Sequence, residues 1–103
     1  MTSANPYRGE ASIEVGGESL VLRPTFSALI GAEEELGSLF EVVERAAEGL
    51  LKLQQIVALF DHISRGRPAA ITRERIGDAV VEKGLTGISP TLKIVLGQIL
   101  QGR

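Results

Sequence analysis

The 103-residue sequence has no cysteine and no tryptophan, and its only histidine is His62. Without cysteine there is no disulfide framework, zinc ribbon, iron–sulfur cluster or thiol nucleophile. The aromatic residues are few, one tyrosine and three phenylalanines. These absences remove most classes of metalloprotein and covalent enzyme before any pattern is considered.

A strong charge of either sign is also missing, because 11 lysines and arginines stand against 13 acidic residues, a formal net charge of −2. This balance argues against non-specific binding to nucleic acid or to anionic membranes. No apolar run approaches the roughly 20 residues of a membrane-spanning helix. The residues from Met1 to Pro6 lack the apolar core of a secretory signal. We therefore expect a cytoplasmic protein without a membrane partner, with a loose arm at 1–8 and one domain at 9–103.

The clearest local pattern is a β-hairpin over residues 10–23. Polar and apolar residues alternate from Glu10 to Val15 and again from Glu18 to Arg23, as in half-buried strands. Between them, Gly16-Gly17 suits a tight two-residue turn that needs positive φ. That turn sets the register: Ile13 opposite Leu20, Ala11 opposite Leu22, Glu14 opposite Ser19 and Glu10 opposite Arg23.

After Pro24 the apolar spacing becomes helical, and we predict about five short helices over residues 25–101. Thr25 and Thr72 are the predicted N-caps of the first and fourth helices, and Gly37 and Gly84 their ends. The predicted fold is therefore α+β, a two-stranded antiparallel hairpin followed by helices.

The other three helices are placed by further capping and stop patterns. Ser38 and Glu41 fit a capping box for a second helix whose apolar stripe runs to Leu50. A third helix, beginning near Leu53, is expected to stop close to Gly66. For the last helix, Ser89-Pro90 fits an N-cap followed by proline in the first turn.

No catalytic, cofactor-binding or metal site is predicted. His62 is adjacent to Asp61 on one helix, and neighbouring helical residues do not face each other, so they form no ready dyad. The run Glu33-Glu34-Glu35 spreads its carboxylates by about 100° per residue, which indicates a solvated face. Neither a phosphate-binding loop nor a dinucleotide-binding pattern is present.

One basic cluster leaves a DNA-binding alternative open. Arg65, Arg67, Arg73 and Arg75 lie close in sequence, and the last two helices, joined by residues 84–88, have the outline of a helix-turn-helix. The would-be recognition helix, residues 90–95, offers only Lys93 as a charge. Ordinary solvent-facing arginines are the simpler interpretation.

Four apolar residues fall off or at the margin of the main helical stripes: Phe40, Leu59, Val81 and Ile94. Helices that are apolar on more than one face are either sandwiched in a core or presented to a partner. We take these four as candidate partner-binding residues, with burial in the core as the competing interpretation. The hairpin edges could also recruit a strand.

The N-terminal part of the chain resembles a known family. The resemblance covers residues 5–60 and continues afterwards only as a helical pattern; it is carried by Asn5-Pro6-Tyr7-Arg8-Gly9-Glu10, the hairpin, Leu22-Arg23-Pro24-Thr25-Phe26-Ser27-Ala28-Leu29 and Glu34-Glu35-Leu36-Gly37. The family comprises small proteins from the tail-gene clusters of gene transfer agents and related prophages, described as tail tube or tail assembly chaperone proteins.

The resemblance implies an assembly role without catalysis. Tail assembly chaperones coat the tape measure protein and keep it soluble while the tube polymerises, which requires apolar surface and self-association. The expected partners are thus a tape measure or other tail protein and further copies of the chain. A structural component retained in the particle and a small DNA-binding regulator are the alternatives.

Overall fold

A computed structural model describes residues 11–102, which form a β-hairpin followed by five helices. The strands are β1 (Ala11–Val15) and β2 (Glu18–Leu22). The helices are α1 (Phe26–Leu36), α2 (Leu39–Ala47), α3 (Leu53–His62), α4 (Arg73–Lys83) and α5 (Leu85–Gln101). The predicted α+β class and element order are confirmed. The expected arm at 1–8 and the Glu10–Arg23 pair involve positions outside the described residues.

The hairpin has the predicted register. Ile13 pairs with Leu20, and Ala11 pairs with Leu22. Gly16 and Gly17 have φ of 59° and 84°, the double positive φ of a type I′ turn, which matches the natural twist of the strands. Strand β2 ends at Leu22, and the N–H of the next residue, Arg23, donates to the Ile63 carbonyl, 2.7 Å away at the end of α3.

Helix caps set the predicted ends of α1 and α4. The Thr25 hydroxyl accepts from the Ala28 N–H at 3.2 Å, and the Thr72 hydroxyl accepts from the Arg75 N–H at 3.3 Å. Both helices end at a glycine of positive φ, Gly37 and Gly84. Each threonine satisfies one of the amides that a helix start leaves without a backbone partner.

Two other predicted helix features were wrong. Ser38 makes no side-chain cap bond; the Glu33 carboxylate of α1 accepts from the Leu39 N–H at 3.1 Å and takes that role. Helix α2 then stops at Ala47. Leu50, placed in its apolar stripe by sequence, lies beyond the helix and is exposed.

The start of α5 was also predicted wrongly. The helix begins at Leu85, directly after Gly84, and Pro90 lies inside it. The Ser89 hydroxyl donates back to the Leu85 carbonyl at 2.9 Å instead of capping a new helix. Pro90 therefore removes one bond, which its N–H would donate to Thr86, but the flanking turns hold. Because only Gly84 separates α4 from α5, the proposed helix-turn-helix with residues 84–88 as its turn does not form.

Helix α3 runs through the centre of the structure, which corrects the prediction for Leu59. It packs against both α1 and α4, while β1 packs on α4 and α5. Every residue from Ile56 to Asp61 is buried, so the middle of α3 is enclosed on all sides, as expected for a helix that is apolar on more than one face. The Leu59 side chain has no exposed surface and belongs to the core. The competing interpretation, burial, was the right one for this residue.

Candidate functional site

Large apolar side chains remain exposed in the described part of the chain. Three of the four candidates are among them: Phe40 is 76% exposed, Val81 63% and Ile94 37%. Further exposed members are Phe26, Ile30, Leu50, Leu53, Leu85 and Leu100. Single exposed apolar residues are common on proteins, so what matters is where they gather.

Two of these exposed residues, Phe40 and Leu100, line a cleft that we call the α2–α5 groove. Its lining comes from α1 (Leu29, Glu33), from α2 (Leu39, Phe40, Val43, Ala46, Ala47) and from α5 (Ser89, Leu92, Lys93, Leu96, Gly97, Ile99, Leu100). Val43 and Leu100 border both halves of this cleft, so the two halves adjoin at these residues. The groove therefore presents apolar groups from three helices along one surface.

The sequence of α2 explains why this groove stays open. Val42 is the only residue of α2 that is fully buried, and it faces the core. The apolar residues next to it on the helix, including Leu39, Val43 and Ala46, are only partly covered by the core. A helix with an apolar stripe wider than its contact with the core leaves part of that stripe for another occupant.

A second cleft, the α3–α4 groove, contains Val81. It is lined by Leu36, Leu53, Gln54, Gln55, Val57, Gly77 and Val81, together with the charged residues Glu35, Arg73, Glu74 and Asp78. Phe40 and Val81 thus lie in different clefts, and Ile94 borders neither. The structure does not bring the predicted partner-binding residues together in one site.

Three residues of the basic cluster and one residue of the acidic run belong to an ion-pair cluster. Arg73 donates to both Glu35 carboxylate oxygens, at 2.7 and 2.8 Å, and to Asp61 at 2.8 Å. Arg67 also pairs with Asp61, and Arg65 lies 3.6 Å from it. Three of the four arginines are therefore engaged by carboxylates of the chain itself.

Hydrogen bonds from Arg67 to backbone carbonyls show that this cluster holds several elements of the fold together. Arg67 donates to the carbonyls of Ile71, at 2.5 Å, and of Asp61, at 3.0 Å. The cluster thus joins α1, the end of α3, the loop after it and the start of α4. A buried carboxylate needs such partners, because burial without them strongly disfavours the charged form.

The pKa values follow from these contacts. Hydrogen bonds from Arg73 and then from His62 lower the pKa of Glu35 to about 2. Burial alone would raise the pKa of Asp61, but the hydrogen bonds from Arg73 and Arg67 outweigh it and lower that pKa. The bonds to Glu35 and Asp61 raise the pKa of Arg73 above its usual value. All three groups remain charged at neutral pH.

His62 is part of the same cluster. Its Nε2 lies 2.8 Å from a Glu35 oxygen, and its Nδ1 lies 3.1 Å from a terminal nitrogen of Arg65. The partner carboxylate comes from α1, 27 positions away, and not from the adjacent Asp61. Since the imidazole is 12% exposed and both its nitrogens have partners within the cluster, these contacts are those of a structural residue.

Residues 11–102 contain neither a metal-binding cluster nor a membrane-spanning helix. No group of three or more acidic or histidine residues is placed to hold a metal ion. No helix in this range is both long enough and apolar enough to cross a membrane.

Comparison with known proteins gives one match. A family model described as phage tail tube protein, GTA-gp10, matches residues 8–102, which is nearly the whole chain. No curated protein and no solved structure matches the chain. The match extends through the helical part, where the resemblance in the sequence was only one of pattern.

Proposed function

The chain belongs to the phage tail tube protein family, GTA-gp10, and from this membership we propose that it is a non-enzymatic assembly protein of a phage or gene-transfer-agent tail. In this role it binds the tape measure protein through its apolar helical surface and keeps that client soluble until the tube forms around it. Family membership supports a tail-related role; the chaperone role is the finer step that we propose.

The observation that carries this proposal is the exposed apolar lining of the α2–α5 groove. Phe40 is 76% exposed although it stands on a helix with a strongly amphipathic pattern. Exposed apolar patches on soluble proteins are typical of binding sites for other proteins. The charged residues that could have suggested chemistry, Glu35, Asp61 and Arg73, are occupied with one another.

Co-expression with a tape measure protein tests the proposal. We expect the client to shift into the soluble fraction and to co-purify with the chain. Phe40→Asp should reduce this effect while the circular dichroism spectrum stays unchanged, because the side chain is mostly outside the core. If the client is equally insoluble with and without the chain, and no complex forms, the chaperone role is wrong.

A second candidate is a structural tail component, favoured by the description of the family as tail tube proteins. Such a component would self-associate and stay in the finished particle. Quantitative mass spectrometry of purified particles separates the two candidates. A structural component is present in many copies per particle, whereas a chaperone is absent or far below the abundance of the tube subunit.

A further inference from the structure

We infer that the α2–α5 groove seats a single amphipathic helix of a partner whose flanks carry lysine or arginine. The inference rests on the proposed function, because it assigns the surface and the chemistry through which a client would bind. It goes further by choosing this groove over the α3–α4 groove, and a cationic helix over a second copy of the chain.

The dimensions of the groove suit a short helical segment. Helix α2, which forms one wall, has nine residues and is thus about 13 Å long, or two and a half turns. A partner helix of that length presents apolar side chains at positions i, i+4 and i+7 on one face. Phe40 and Leu100 are exposed there to receive them.

The α5 wall allows the partner backbone to come close. Gly97 lines the groove, and a Cβ atom built on it would meet nothing within 4 Å. Ala46 and Ala47 lie on the opposite wall. A side chain placed at position 97 would therefore extend into open groove and not into the core, which makes this position the sharpest probe of occupancy.

Charge at the rim selects the partner. Glu44 and Glu48 follow Phe40 at intervals of four residues, so they continue its row along the outer edge of α2. All three are exposed. On the opposite wall, Lys93 is the cation among the lining residues. The α2 edge is therefore acidic and complements a helix flanked by basic side chains.

The same charges argue against a second copy as the occupant. In a twofold-symmetric pair, residues close to the symmetry axis meet their own equivalents, so a pair that meets along the α2 edge would bring Glu44 and Glu48 near the same residues of the other copy. Like charges so placed repel and weaken association. The α3–α4 groove also has acidic residues on its border, Glu74 and Asp78 of α4, so charge alone does not separate the two grooves; its lining includes Gln54 and Gln55 and has fewer large apolar side chains than the α2–α5 groove.

Two synthetic helical peptides of about 14 residues test the inference with the full chain. Both carry leucine at positions i, i+4 and i+7; one has lysines on the flanks of that face, and the other has glutamates at the same positions. Fluorescence anisotropy at low salt should show the lysine peptide binding at least about tenfold more tightly, and added salt should reduce the difference.

Variants locate the binding surface. Gly97→Gln should weaken binding of the lysine peptide about tenfold or more without loss of fold, since the added side chain lies in the groove. Val81→Gln, on the exposed surface of the other groove, is the matched control and should leave binding unchanged. The double variant Glu44→Lys with Glu48→Lys should reverse the preference in favour of the glutamate peptide.

The inference is overturned if Gly97→Gln binds as tightly as the unaltered chain, if Val81→Gln is the variant that loses binding, or if neither peptide binds. Co-expression of the same variants with a tape measure protein separates this result from the proposed function. A client held equally well by Gly97→Gln and by the unaltered chain refutes the groove but not the chaperone role. A peptide that binds in the groove while the client is never solubilised refutes the chaperone role alone.

Discussion

Arg73 of α4 donates a hydrogen bond from each of its two terminal nitrogens to the Glu35 carboxylate of α1, with nitrogen–oxygen distances of 2.7 and 2.8 Å, although the two residues are 38 positions apart in sequence. This two-bond geometry is the most specific arrangement of an arginine and a carboxylate. It fixes the end of α1 beside the start of α4. Arg73 of the basic cluster and Glu35 of the acidic run are thus paired with each other, and the exposed apolar side chains remain as the feature that a partner would explain.

The Glu35 pair makes stability depend on pH. The pKa of Glu35 is about 2 in the folded chain, against an ordinary value of 4.5. A lowered pKa stabilises the fold above the ordinary value, and this contribution disappears as pH falls from about 4.5 to about 2. Because the carboxylate is 39% exposed, screening limits the contribution to about 1 kcal/mol.

Glu35→Gln tests this dependence by urea unfolding at several pH values. Above pH 5 the variant should be less stable than the unaltered chain by about 1 kcal/mol, and the two should converge near pH 2. A difference in unfolding free energy that is the same at every pH would contradict the assignment.

Asp61 should matter far more for stability than an ordinary surface carboxylate. Its side chain is buried and pairs with Arg67 and Arg73. Removing one partner from a buried ion pair leaves the other charges unsatisfied, so Asp61→Ala should cost about 3 kcal/mol of unfolding free energy. Asp78→Ala, at an exposed position of α4, is the control and should change it by less than about 0.5 kcal/mol. Equal effects at the two positions would show that the cluster does not stabilise the fold.

Two helical glycines should respond oppositely to alanine. At Gly97 the new methyl group meets open space, so Gly97→Ala should stabilise the chain by about 0.5–1 kcal/mol through helix propensity. At Gly31 the methyl group would lie 3.0 Å from Nδ1 of His62, whose ring is held by Glu35 and Arg65. Gly31→Ala should therefore lower the melting temperature. A gain in melting temperature for both variants would mean that the His62 ring moves freely.

Truncation of two large apolar residues separates core from surface. Leu59→Ala should destabilise the chain by about 3 kcal/mol, because it opens a cavity in a fully enclosed position. Phe40→Ala removes a larger side chain but should change the unfolding free energy by less than about 0.5 kcal/mol, because most of that ring is already in solvent. If Phe40→Ala proves as destabilising as Leu59→Ala, then Phe40 packs into the core and the binding role fails.

Local sequence signals predicted the hairpin and both ends of α1 and α4. A two-residue glycine turn and alternating apolar residues determine the pairing of Ile13 with Leu20, and threonine caps determine the starts of α1 and α4. These features depend on residues within one or two turns of each other. The start of α5 was missed since proline within a helix looks locally like proline at its first turn.

By itself, the sequence determined the α+β class, the order of the elements and the lack of a recognisable catalytic motif. Only the tertiary structure decided that Leu59 is core, that Phe40 is surface, and that Glu35, Asp61 and Arg73 form one cluster. Periodicity reports that a helix has an apolar face but not how many neighbours enclose it, and spacing along the chain says nothing about charges brought together from α1, α3 and α4. Those are consequences of packing, which acts between residues that the chain keeps far apart.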